Sequence, residues 1–234
     1  WDDKDRASFL ERLALILEET QTQCYAWALI PNHFHILLRT GTTPLSTVMR
    51  RLMTGYAVTF NIRHRRSGHL FQNRYKSVVC EEDTYLLELT RYIHLNPLRA
   101  NLVKDMKELD TYLWTGHSTL LGKRKNPLIP DVPLINRGEN NSKILAEKTV
   151  EDVLQYFGKN LKEARRRYRE FVEKGIKHGH RADLQGGGLI RSAGGDKAGL
   201  LGQKKEDREK SDQRILGSGD FACPVKFRRT AQRI

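Results

Sequence analysis

The chain lacks any apolar run long enough to cross a bilayer: the longest, such as Ala26 to Ile30, fall far short of the ~20 residues a spanning helix needs. It also lacks the basic start of a secretory signal, since Trp1 is followed by Asp2, Asp3 and Asp5. The sequence therefore reads as a soluble, cytoplasmic protein with no membrane partner, cut at its front because Trp1 stands where Met is expected. Cysteine is scarce. Cys24, Cys80 and Cys223 lie far apart, with none of the two-residue spacing used by zinc or redox pairs, so all three read as reduced and buried or incidental. Acidic residues are missing where they matter most. Between Ile36 and Cys80 there is not one Asp or Glu, while Arg39, Arg50, Arg51, Arg63, Arg65, Arg66, Arg74 and Lys76 all fall there. A net charge of +13 points to a polyanionic partner, and the unmixed sign of this stretch favours phosphate contacts over a merely solvated basic face.

What is present reads as alternating helices and strands. Asp5 to Glu19 sets Phe9, Leu10, Leu13, Ile16 and Leu17 at helical spacing. Tyr25 to Ile30 reads as a strand and Pro31-Asn32 as a turn. His33 to Arg39 then alternates, with Phe34, Ile36 and Leu38 on one face and His33, His35, Leu37 and Arg39 on the other. Thr43-Pro44 predicts a capped helix carrying Leu45, Val48, Met49, Leu52, Met53, Tyr56 and Phe60, with Arg50 and Arg51 off the stripe. A basic loop follows from Arg63 to Arg74, then a strand from Tyr75 to Cys80. Asp83 is placed to cap a helix through Tyr85, Leu86, Leu89, Tyr92 and Ile93, which Pro97 ends.

The order helix, strand, strand, helix, strand, helix fits an α+β, ferredoxin-like antiparallel sheet with helices on one face and its first strand missing. Residues 1–122 read as one domain. Lys123 to Asn141 is rich in Pro, Asn and charge, so 123–145 reads as a linker. Thr149-Val-Glu-Asp152 resembles a capping box opening a helix with Val153, Leu154 and Phe157. A second helix over Leu161 to Lys174 has Leu161, Ala164, Tyr168, Phe171 and Val172 on its apolar side and Lys162, Arg165, Arg166, Arg167 and Arg169 on the other. Residues 146–182 are thus a basic helical segment, and 183–234 a poorly structured tail.

Two histidines one residue apart on a strand point to the same side, where both imidazoles can reach one divalent metal. On spacing alone such a pair is more often incidental. Two imidazoles also make too small a ligand set, so a further donor is needed, with positions left open for a phosphate. Asn96 offers that donor, since it lies four residues after Tyr92 and therefore on the same helical face. A tyrosine hydroxyl, with an ordinary pKa of about 10, needs a metal or base before it attacks phosphorus. By periodicity Tyr92 reads equally well as a core aromatic. His94 lies about 200° round the helix from Tyr92, away from that face. His64 and His69 sit in the basic loop and read as DNA contacts rather than ligands.

The segments PNHFHILL, GHLFQNRYKS and LTRYIHLNPLRANLV, in this order and spacing, resemble the REP-associated branch of the single-tyrosine HUH transposases over roughly Trp1 to Gly122. The resemblance implies a ferredoxin-like sheet with the histidine pair on a strand and a nucleophilic tyrosine on a helix opposite. Carried onto this chain, it implies that His33 and His35 bind Mg or Mn, that Asn96 is a third polar ligand, and that Tyr92 is the nucleophile. It further implies cleavage and rejoining of single-stranded or hairpin DNA through a 5′-phosphotyrosine, with a free 3′-hydroxyl able to reverse the step. The arginines between Arg39 and Arg74, with Lys76, are then expected to hold DNA, and a homodimer is admitted as well as a monomer.

The chain departs from that family in two places. The opening strand, with its glycine- and arginine-containing turn, is absent before Trp1, which leaves the expectation of an unpaired sheet edge. Near the end, ILGSGDF resembles the approach to a helix-turn-helix, but CPVKFRRTAQRI does not continue it, which suggests truncation or a frameshift. Two other readings stand beside the transposase: a domesticated, non-catalytic hairpin-binding protein, and a metal-dependent phosphodiesterase that activates water.

Overall fold

The computed structural model describes residues 1–72, 75–80, 82–130, 141–179 and 215–216. They fall into two units, one of Trp1–Tyr75 with Thr90–Lys177, the other of Lys76–Leu89 with His178–Ile234. The fold is mixed α+β, with a two-stranded antiparallel sheet, helices and a mainly helical C-terminal region.

In the first unit, α1 (Asp3–Thr20) begins on a capping box. The Asp2 carboxylate accepts from the Asp5 N–H, and the Asp5 carboxylate from the Asp2 N–H, both at 2.9 Å. Strands β1 (Gln23–Ile30) and β2 (His33–Arg39) form the hairpin, with an irregularity at Cys24/Ala26 and His35 paired to Ala28. Helix α2 (Leu45–Arg63) buries Val48, Met49, Leu52 and Tyr56. Pro44, not Thr43, stands at its N-cap, and no side chain caps it. The alternation of β2 sends Phe34, Ile36 and Leu38 against a core of Phe9, Leu13, Trp27, Leu29, Leu52 and Tyr56. Phe9 is its aromatic centre, 4.9 Å from Phe34 and 5.2 Å edge-on to Tyr56. Truncating it to Ala would cost about 3–5 kcal/mol, since nothing nearby can refill so large a space.

The other edge of β1 is also used. Leu29 N–H donates to the Trp114 carbonyl and Gly116 N–H to the Trp27 carbonyl, each at 2.9 Å, so residues 114–116 run along the strand. This segment lies between α5 (Met106–Thr111) and α6 (His117–Leu120). Before them, α3 (Glu82–His94) gives way at Leu95 to α4 (Asn96–Arg99). The break has a cause in Pro97, which has no N–H to offer the Ile93 carbonyl.

Helix α7 (Asn141–Leu154) starts earlier than Thr149-Val-Glu-Asp152 predicts. Thr149 is inside it, with its hydroxyl donating to the Ala146 carbonyl at 2.9 Å. A Ser/Thr-x-x-Asp pattern caps only where the preceding backbone is extended, and here that backbone is already helical. Helix α8 (Leu161–Lys174) is capped by Asn160 and buries Ala164, Tyr168 and Val172, while Leu161 is exposed. Its arginines are largely paired along the helix: Arg166 with Glu163 and Glu170, Arg167 with Glu163.

In the second unit, β3 (Val79–Cys80) pairs in parallel with β4 (Ile215–Leu216). Only these two residues of the expected Tyr75–Cys80 strand are extended ladder. The Asp83 side chain, most of the 123–145 segment's centre and most of the tail lie outside the described residues.

Candidate functional site

β2 presents His33 and His35 on the face opposite Phe34, as the period of two requires. Their rings stand 4.9 Å apart at 86°. His33 is exposed, and its Nδ1 lies 2.6 Å from the Asn32 Oδ1. An amide oxygen can only accept, so Nδ1 donates to it, and Nε2 is the ring nitrogen this bond leaves unused. His35 is half-buried, and burial with the neighbouring His33 lowers its pKa to about 4. Its imidazole is therefore held in the neutral form, with one ring nitrogen free of a proton.

The last turn of α3 brings Tyr92 to this pair, with its ring 6.4 Å from that of His35 at 83°. Tyr92 is 7% exposed, so the group runs from the surface at His33 to the interior at Tyr92. Asn96 is buried as well, and its side-chain N–H donates to the Tyr92 carbonyl at 3.2 Å. That bond fixes which atom of the amide is spent and leaves Oδ1 as the side chain's acceptor. The two imidazoles that share this strand face are nitrogen donors suited to an intermediate divalent ion, and the contact Asn96 makes here is with the Tyr92 backbone. Among the described residues, no group of three or more His, Cys, Asp and Glu is arranged for a metal.

Two further residues belong to the cluster and escaped the sequence reading. Arg99 places its guanidinium 4.7 Å from the centre of the Tyr92 ring and donates to the Tyr92 carbonyl at 3.2 Å. Its signal was present, because seven residues is close to two full turns and returns to the same face. In the sequence Asn32 reads only as turn chemistry, yet it orients His33.

The expected DNA-holding residues divide. Arg50, Arg65 and Arg66 are exposed, with Arg66 over the Phe60 ring at 5.7 Å, and Arg39 reaches the Tyr25 hydroxyl at 3.4 Å. Arg51 pairs with Glu19. Arg63 is exposed but paired with carboxylates at the start of α1, with Asp2 at 2.6 Å and also with Asp5. His64 is 2.9 Å from the same Asp5 oxygen. Burial pushes the Asp5 pKa up, but the Asp2 N–H, His64 and Arg63 outweigh it and hold the carboxyl below its usual range. Lys76 is exposed in the second unit, and Arg74 lies outside the described residues.

Behind the site, three aromatic side chains share a fully buried hydrogen-bonded chain. The Tyr168 hydroxyl lies 2.7 Å from His94 Nδ1 and 2.9 Å from His117 Nδ1. His117 Nε2 is 3.1 Å from Asp110, which also accepts from Arg169 at 2.7 Å. Burial lowers the pKa of both histidines and raises that of Tyr168, so all three are neutral.

The family model described as "Transposase IS200 like" matches residues 1–96, a span that contains His33, His35, Tyr92 and Asn96. No curated protein and no solved structure matches the chain.

Proposed function

We propose, with the match of residues 1–96 to the IS200-like transposases as premise, that this chain is a transposase acting on DNA. In this reading it nicks and joins single-stranded or hairpin DNA in the cytoplasm, as in the REP-associated branch, through a 5′-phosphotyrosine on Tyr92. The observation that carries the reading is the approach of a tyrosine ring to within 6.4 Å of a paired histidine across the gap from strand to helix.

The chemistry follows from those side chains. The Tyr92 oxygen attacks phosphorus as its proton leaves, an O–P bond forms, and the bond from phosphorus to the 3′ oxygen breaks. The strand's 3′ oxygen takes up a proton, and the reverse attack by that hydroxyl rejoins a strand. His33, His35 and the Asn96 oxygen are the groups that would hold Mg or Mn, which when bound would polarise the phosphate and offset its developing charge. Asn32 and Asn96 orient the donors, and Arg99 fixes the ring while adding positive charge beside it. Arg39, Arg50, Arg65 and Arg66 hold the flanking phosphates.

The burial of Tyr92 favours a second reading, in which the tyrosine is structural and the histidine pair serves a water-using phosphodiesterase. Tyr92→Phe separates them, because it removes one hydroxyl from a packed ring. With labelled hairpin DNA, the transposase reading expects folding and DNA binding retained, but strand cleavage and the covalent adduct abolished. Cleavage that survives in Tyr92→Phe transfers the assignment to the phosphodiesterase.

A further inference from the structure

We propose that the buried chain Asp110–His117–Tyr168–His94 is the positioning device for Tyr92, and that its hydrogen bonds run in one fixed direction. The proposal rests on reading Tyr92 as the nucleophile. His94 is two residues after Tyr92 and so projects from the opposite side of the same turn. There it is fully buried, bonded through Nδ1 to Tyr168 of α8. Its Nε2 has no hydrogen-bond partner among the described residues.

The proton order follows by elimination from one end. Arg169 donates to Asp110, and a carboxylate can only accept, so His117 carries its proton on Nε2. Its Nδ1 is then an acceptor, so the Tyr168 hydroxyl donates to it. A hydroxyl has one proton. Tyr168 must therefore accept from His94, which fixes the proton of His94 on Nδ1 and leaves a bare lone pair on Nε2.

That lone pair marks where α3 meets the sheet. A Cβ added to Gly116 would stand 2.8 Å from His94 Nε2 and 3.1 Å from Trp27 Nε1, so only glycine lets the ring in beside β1. Trp27 is paired in register with Ile36 of β2, next to His35. His94 thus sits between α8 on one side and β1 on the other, and sets the height of the Tyr92 turn above the histidine strand. Arg91 doubles the attachment, with its guanidinium 4.3 Å over the Phe171 ring of α8. A hydrogen-bonded chain whose members each have one permitted orientation holds a helix more exactly than apolar packing, which tolerates repacking.

Two measurements on the whole 234-residue chain test this. Nitrogen-15 NMR of the histidine rings, with His94→Asn to assign the signal, should show the His94 proton on Nδ1. A proton on Nε2 overturns the stated order. Tyr168→Phe should lower the rate of strand cleavage at saturating hairpin DNA by about tenfold or more while DNA affinity stays within about twofold, because sub-ångström misplacement acts on turnover. His94→Asn keeps an N–H where Nδ1–H stood and should retain most of that rate. Cleavage at the wild-type rate in Tyr168→Phe overturns the positioning role. If Tyr168→Phe does not fold, the comparison of His94→Asn with His94→Leu decides, and equal rates in those two contradict the proposal. Failure of the underlying reading looks different: Tyr92→Phe would still cleave, while the His94 tautomer would be as stated.

Discussion

The two histidine pairs of this protein have opposite surroundings. His33 and His35 stand 4.9 Å apart on an open strand face, while His94 and His117 are 6.1 Å apart and wholly buried. In the first pair, Asn32 uses one nitrogen of His33 and leaves the other available for a ligand. In the second, Tyr168 occupies the space between the rings and consumes a nitrogen of each. A histidine becomes a ligand or a structural hydrogen-bonding group according to which of its nitrogens the fold has already used, and both kinds flank the same turn of α3.

The largest difference expected between the pairs is in stability. His117→Ala removes a buried ring and strands the Tyr168 hydroxyl and Asp110, so denaturant unfolding should register a loss of about 3 kcal/mol or more. His33→Ala, at an exposed position, should stay within about 0.5 kcal/mol of wild type. Comparable losses in the two variants would erase the distinction.

Acid should act more gently, on the buried pair and also on the half-buried His35 of the open one, whose pKa is lowered to about 4. Burial holds His117 below its ordinary 6.5, so the unfolded chain takes up a proton first as pH falls. Its contribution is complete above 6.5 and is lost on descending through and below that value, with a limiting slope of about 1.4 kcal/mol per pH unit for one such group. Asp110 lies below its ordinary 3.8: burial opposes this, but His117 and Arg169 prevail, so its own contribution survives until the pH drops under that value. Unfolding free energies measured from neutral pH downward should begin to fall near 6.5. A curve that rises there would be inconsistent with neutral buried histidines.

The smallest effect concerns the open pair. Asn32→Ala frees the His33 ring to turn, and titration with Mn should show affinity weakened by about tenfold, with fold and DNA binding unchanged. An unaltered affinity would mean that Asn32 does not orient the ligand.

These pairs also show what could be read from sequence. The placement of His33 and His35 on one face, of Phe34 and Ile36 on the other, and of Asn96 and Arg99 around the Tyr92 turn depends on periods of two and 3.6, which are local. The antiparallel hairpin, α2 and α8 were legible for the same reason. Tyr168 joining His94 and His117 spans 74 and 51 residues, and Arg63 turning to Asp5 spans 58, so no local pattern contains either. The pairing of Arg63 with Asp2 and Asp5 is therefore invisible to a reading of its neighbours in sequence. Thr149 misled for the converse reason: a local capping pattern was overridden by a helix already running from Asn141.

The central claim is that Tyr92 becomes covalently attached to DNA, and peptide mapping of the trapped adduct by mass spectrometry tests it most directly. The protein is incubated with hairpin DNA and Mn, digested with nuclease and protease, and searched for a nucleotide-bearing peptide. The nucleotide is expected on the tyrosine of the peptide containing Arg91-Tyr92-Ile93, linked through its 5′ phosphate. An adduct on Tyr85, Tyr56 or another residue, or cleaved DNA with no adduct at all, would contradict it.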